Sequence, residues 1–127
     1  MLATTLANTP TSPSATADSV SEINPISWSS GGSQDHYHVK SSLDSYASNI
    51  YNSTGTSTSQ SSLASGTQYT YRIYGVNADD VEGSSYATIS KYTLSEAPTS
   101  PVATDNTYAD KINVSWTASA TADHYHV

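Results

Sequence analysis

Laid against itself with a shift of 88 positions, the chain matches without a gap. Pro13 falls on Pro101, Trp28 on Trp116 and His36 on His124. PTSP at 10–13 repeats at 98–101, SW at 27–28 at 115–116, and DHYHV at 35–39 at 123–127. Shared serines are expected by chance in a Ser/Thr-rich chain, but paired tryptophans and paired DHYHV strings at one offset are not. Self-similarity at a fixed spacing is the mark of a repeat array. The match predicts one whole unit at 10–97, the end of a preceding repeat or a linker at 1–9, and the first strands of a following, incomplete repeat at 98–127. The expected partners of such a unit are neighbouring repeats of the same protein, or identical subunits in a filament.

Charge narrows the partners further. The net charge is −7 over 127 residues, and the basic residues Lys40, Arg72, Lys91 and Lys111 are scattered. Neutralising a nucleic-acid backbone needs clustered cations, so no nucleic-acid partner is expected. With no cysteine, disulfides, thiolate metal knuckles and thiol nucleophiles are excluded. No stretch has the length of a membrane span. The opening MLATTLANTP has neither a basic start nor a long apolar run, so it does not read as a signal peptide.

Within the unit the patterning has the period of β-strands. Along TQYTYRIYGVN (67–77), Tyr69, Tyr71, Ile73 and Gly75 fall on one face, and Thr70, Arg72, Tyr74 and Val76 on the other. HYHVK (36–40) separates Tyr37 and Val39 from His36 and His38. INPISW (23–28) supplies Ile26 and Trp28, and YATISKYTL (86–94), with Ile89, reads as a closing strand. Pro25 cannot donate to a ladder and predicts a bulge or a late strand start. Either Ile50 or Tyr51 is expected to cap the core. Short strands bounded by turn residues indicate an all-β sandwich.

These residues resemble the fibronectin type III domain, in full over 13–97 and partially over 101–127. ISW at 26–28 is similar to the second strand of that family, HYHV at 36–39 to the third, and LASGTQYTYRIYGVN at 63–77 to the corner before the sixth strand and the strand itself. APTSP at 97–101 resembles the Pro-rich joint between such domains. The resemblance implies a seven-stranded, immunoglobulin-like sandwich of the tandem, microbial extracellular type. Its implied core is Ile26, Trp28, Tyr37, Val39, Leu63, Tyr69, Tyr71, Ile73, Ile89 and, in the second copy, Trp116. Tyr69 is implied as the corner tyrosine, its hydroxyl bonded to upstream backbone.

Sites with chemistry are sparse. His36 and His38 share a strand face, as do His124 and His126, and two imidazoles so placed can hold Zn²⁺, Cu²⁺ or Ni²⁺. No third ligand is identifiable in the sequence, so the expectation is a pair of solvated strand residues and no metal. Asp79, Asp80 and Glu82 in NADDVEG (77–83) offer oxygen ligands, but not at EF-hand spacing, and are expected to form a solvated acidic turn. No G-x-S-x-G, P-loop or H-E-x-x-H is present, so neither catalysis nor a cofactor is expected. A binding surface, if used, is expected at Tyr74, Arg72, Asp79, Asp80 and Glu82, for a carbohydrate or protein ligand, with Tyr46 and Tyr86 as further exposed tyrosines. The expected role is that of a structural or spacer module of an extracellular or cell-surface protein, in a fibre, stalk or filament. The alternative is an adhesin or a carbohydrate-associated module.

Overall fold

A computed structural model describes residues 5–105 and 107–127. The assignment of residues 1–4 to a preceding unit lies outside them. Strands β1 (Thr11–Ala17), β2 (Ile23–Ser29) and β5 (Ser57–Gln60) form one sheet in the order β1-β2-β5. Strands β3 (His36–Ser41), β4 (Asn49–Ser53), β6 (Gln68–Val76) and β7 (Ala87–Tyr92) form the other, in the order β4-β3-β6-β7. All pairings are antiparallel. A short 3₁₀ turn at Ser42–Asp44 links the third and fourth strands. Residues 11–92 are thus a seven-stranded β-sandwich.

The alternation seen in the sequence sets the layers. Tyr69, Tyr71 and Ile73 of β6 point inward beside Tyr37 and Val39 of β3. Ile23, Ile26 and Trp28 close the core from the facing sheet. Trp28 meets Tyr37 and Tyr51 edge to face, at centroid separations of 5.5 and 5.6 Å. Ile50 and Tyr51 both pack on the core, where one had been expected. Ile89 is only partly buried, on β7 at the edge of its sheet. Val76 departs from its expected outward face: the alternation ends at Gly75, and Val76 bridges to Glu82 and is fully buried.

Pro25 marks a bulge. Ile23 and Ile26 are both fully buried, yet three positions apart they would fall on opposite faces of a regular strand. The register slips between them against both β1 and β5. The extra residue restores the parity, and Pro25, with no N–H to donate, lies exposed within the bulge.

Residues 98–127 form less than their sequence suggested. β8 (Thr99–Ala103) and β9 (Val114–Thr117) pair with Thr99 opposite Thr117, Val102 opposite Ser115 and Ala103 opposite Val114. Each pair reproduces, 88 residues on, the β1–β2 pairs Thr11–Ser29, Ser14–Ser27 and Ala15–Ile26. Trp116 and Tyr125 lie edge to face at 5.4 Å, as Trp28 and Tyr37 do at 5.5 Å. Residues 124–127, however, form no strand, and Trp116 is half-buried rather than a core residue. The reason is physical. β3 is held between β4 and β6, and residues 98–127 supply neither neighbour.

Candidate functional site

The face of the four-stranded sheet turned away from the core carries the polar side chains of β3 and β6. His36, His38 and Lys40 of β3 lie opposite Val76, Tyr74 and Arg72 of β6. Beyond β6 the chain makes a tight loop at 77–83. Asn77 organises it: its side-chain oxygen accepts the N–H groups of Asp79 (3.1 Å) and Val81 (3.0 Å), and its carbonyl accepts that of Asp80 (3.0 Å). Asp80 takes a left-handed backbone, φ 62°, which Asp and Asn tolerate better than most residues. The loop folds back, with the Gly83 N–H on the Gly75 carbonyl at 2.8 Å, and delivers Asp80 and Glu82 onto β3.

The two histidines are therefore covered, not solvated as expected. His38 is only 6% exposed and His36 is half-buried. Nδ1 of His36 lies 2.9 Å from Asp35 Oδ2, and its Nε2 lies 3.0 Å from Asp80 Oδ1. Nδ1 of His38 lies 2.9 Å from Glu82 Oε1, and its Nε2 lies 3.4 Å from Asp80 Oδ1. Lys40 Nζ completes the chain, 2.8 Å from Glu82 Oε1. One nitrogen of each histidine and one oxygen of Asp80 lie within 4.8 Å of one another. Asp80 supplies the third potential ligand that the sequence left unidentified; its approach to His36 spans a loop and could not be read from spacing.

Electrostatics follow from these contacts. Burial opposes the His36 imidazolium, but hydrogen bonds and charges from Asp35 and Asp80 outweigh it and raise the pKa above the ordinary imidazole value. Burial likewise opposes the charged form of Glu82, yet Lys40 and His38 hold its carboxyl below the ordinary range. Asp79 does not join the cluster: it is exposed, and the three loop carboxylates do not converge as an oxygen cage. His124 and His126 keep the ring spacing, 5.1 Å against 5.2 Å for His36 and His38. Both are exposed, and their carboxylate contact is Asp123, 3.1 Å from His124.

An aromatic platform adjoins the cluster. The Arg72 guanidinium lies 3.7 Å from the Tyr46 ring centroid and 4.7 Å from that of Tyr86. Tyr74 lies 5.1 Å from Tyr86, and Lys40 stands 5.0 Å above Tyr74. Tyr46 and Tyr74 are half-buried rather than exposed as expected; Tyr86 is exposed. Such stacking fixes long side chains that would otherwise be mobile.

Both ends of the sandwich are occupied by chain. Residues 5–9 run along one end. The Asn77 side-chain amide donates to the Thr5 carbonyl at 3.0 Å, that of Asn8 to the Gly31 carbonyl at 3.1 Å, and that of Gln34 to the Asn8 carbonyl at 3.0 Å. Gly75 admits this segment, since a Cβ there would strike the Asn8 carbonyl. At the other end Ser95 Oγ donates to the Thr121 carbonyl (2.9 Å), and the Glu96 N–H donates to Thr121 Oγ1 (3.0 Å). The Asn8 contacts with the 31–34 turn are thus matched, 88 residues on, by Glu96 against the 119–122 turn.

No protein-family model and no curated protein matches the sequence. Solved structures do. A human domain of fibronectin type III domain containing protein 3 aligns with 73% of this chain and 91% of its own, at 15% identity and a TM-score of 0.60. A two-domain fibronectin type III segment of chicken tenascin aligns with 89% of this chain, at 19% identity and a TM-score of 0.61; the match spans 64% of that segment. A beta-1,2-glucanase from Parabacteroides distasonis aligns with 71% of this chain, at 18% identity and a TM-score of 0.58, but over only 13% of its own length. Strand order, the 3 + 4 division of the sheets and these structural neighbours together give the chain a fibronectin type III fold.

Proposed function

We propose that the chain is a non-catalytic structural module of an extracellular tandem-repeat protein, spacing or displaying its neighbours in a surface fibre, stalk or filament. Domains of this fold commonly serve as structural or spacer modules of extracellular proteins. The observation that carries the reading is the seated joint. Segment 5–9 is hydrogen-bonded along one end, and segment 95–96 is bonded to Thr121 at the other. A linker bonded to the modules on either side transmits orientation, where a loose one only tethers.

The chain has no native thiol, so dyes can be placed on Thr54→Cys and Thr117→Cys without competition. Single-molecule energy transfer between them should give one narrow distance distribution. A broad, linker-length distribution would remove the spacer reading.

A second reading is favoured by the Arg72 sandwich between Tyr46 and Tyr86. It makes that face an adhesive or carbohydrate-binding platform. Glycan-array binding that disappears in Arg72→Ala and Tyr86→Ala would establish it; a blank array leaves the spacer.

A further inference from the structure

We propose that His36, His38 and Asp80 form a zinc site that fastens the 77–83 loop to β3. A zinc ion bound at 2.0–2.2 Å in tetrahedral geometry keeps its ligand atoms about 3.3 Å apart. Asp80 Oδ1 lies 3.0 Å from His36 Nε2 and 3.4 Å from His38 Nε2. Those two distances are already near the spacing that the ion demands, and all three ligand atoms lie within 4.8 Å of one another.

A separate observation points to a ligand. His38 is among the most buried polar side chains described, and its Nε2 is fully enclosed with no hydrogen-bond partner among the described residues. Buried ring nitrogens are normally satisfied, and one that is not calls for a partner. This nitrogen is aimed at the Asp80 oxygen, too far from it for a short hydrogen bond. An ion between them satisfies both.

The outer contacts set the chemistry. Each imidazole faces a carboxylate through Nδ1: Asp35 for His36, Glu82 for His38, both at 2.9 Å. A carboxylate only accepts, so Nδ1 carries a proton in each ring, and Nε2, which faces Asp80, is the nitrogen whose lone pair an ion would take in place of a proton. Carboxylates behind metal-binding imidazoles orient the ring and raise its basicity. Lys40 holds Glu82 in turn. Two imidazoles and one carboxylate suit a borderline divalent ion such as zinc better than calcium, whose ligands are oxygen. Three protein ligands leave a fourth position for water, reachable because the Asp80 side chain is 70% exposed.

The chain contains its own control. His124 and His126 repeat the histidine spacing and one outer carboxylate, but no described carboxylate stands opposite their rings.

The test uses the whole chain, free of any affinity tag, with ZnCl₂ alone as probe, at about pH 8 so that free imidazole is neutral. Calorimetry should give one ion per chain. Zinc at about a hundred times its dissociation constant should raise the melting temperature by roughly 10 °C. Asp80→Asn keeps a residue that tolerates the left-handed backbone and should abolish both signals. Its melting temperature without zinc shows that it has folded. Glu82→Gln should weaken binding about 10- to 100-fold. Asp79→Asn, and the double variant His124→Gln with His126→Gln, should bind as the parent does. No heat and no melting shift in the parent would overturn the proposal. So would Asp80→Asn binding at full strength, or loss of binding in the His124/His126 variant.

Discussion

The hydroxyl of Tyr69 accepts the backbone N–H of Ala64 at 3.0 Å, whereas the hydroxyl of Tyr71, two residues on and on the same strand face, is buried without a partner among the described residues. Two phenols of one strand thus have opposite value to the fold. Tyr69→Phe strands the Ala64 amide and should lower unfolding stability by about 1–3 kcal/mol. Tyr71→Phe removes a buried polar atom that bonds to nothing and should be neutral or stabilising. Urea unfolding of the two variants checks both; equal losses would refute the distinction.

Alkaline pH should unfold the domain through Tyr71. Burial, aided by the neighbouring Tyr69, raises its pKa well above that of a free phenol. A group whose folded pKa is raised holds its proton longer when folded. Its contribution is therefore full below the unfolded value of about 10 and is lost as pH rises towards the folded value. Urea midpoints should fall above about pH 10, and more gently in Tyr71→Phe. Parallel pH curves for parent and variant would show that Tyr71 is not the group responsible.

The two tryptophans should differ sharply despite their matching contexts. Trp28 sits between sheets, 5% exposed, so Trp28→Ala should cost about 3–5 kcal/mol. Trp116 is half-buried on a two-stranded ribbon, and Trp116→Ala should leave the main unfolding transition nearly unmoved. Acrylamide quenching of Trp116 in a Trp28→Phe background should be strong, and of Trp28 in a Trp116→Phe background weak.

Gly75→Ala tests the seating of residues 5–9. The added methyl meets the Asn8 carbonyl and Gln34, so the segment should lift away at a cost of roughly 1–3 kcal/mol. Hydrogen exchange of the Asn77 side-chain amide, which is bonded to Thr5, should accelerate, while exchange within β3 stays slow. Unchanged exchange at Asn77 would mean that the glycine is not what admits the segment.

Much of the fold was legible because it is written in short periods. Tyr69, Tyr71 and Ile73 alternate within one strand, and Pro25 announces its own bulge. The corner tyrosine lies five residues from its partner. The cluster around His38 was not legible in this way. Its burial depends on Asp80 and Glu82, which reach it from across a strand and a loop, and only the turn built on Asn77 brings them there. Trp116 misled for the opposite reason: its local sequence is that of a core residue, but burial belongs to the facing sheet, and residues 98–127 have none.

Asn77 places its side-chain oxygen inside the 77–83 turn and its side-chain amide on the Thr5 carbonyl. Tension applied to the segment leading into the sandwich is thus borne by a bond to that turn, alongside the Asn8 bonds to Gly31 and Gln34. The first contacts to yield under load would be these side-chain hydrogen bonds, not the hydrophobic interior, and they could re-form without the domain ever unfolding.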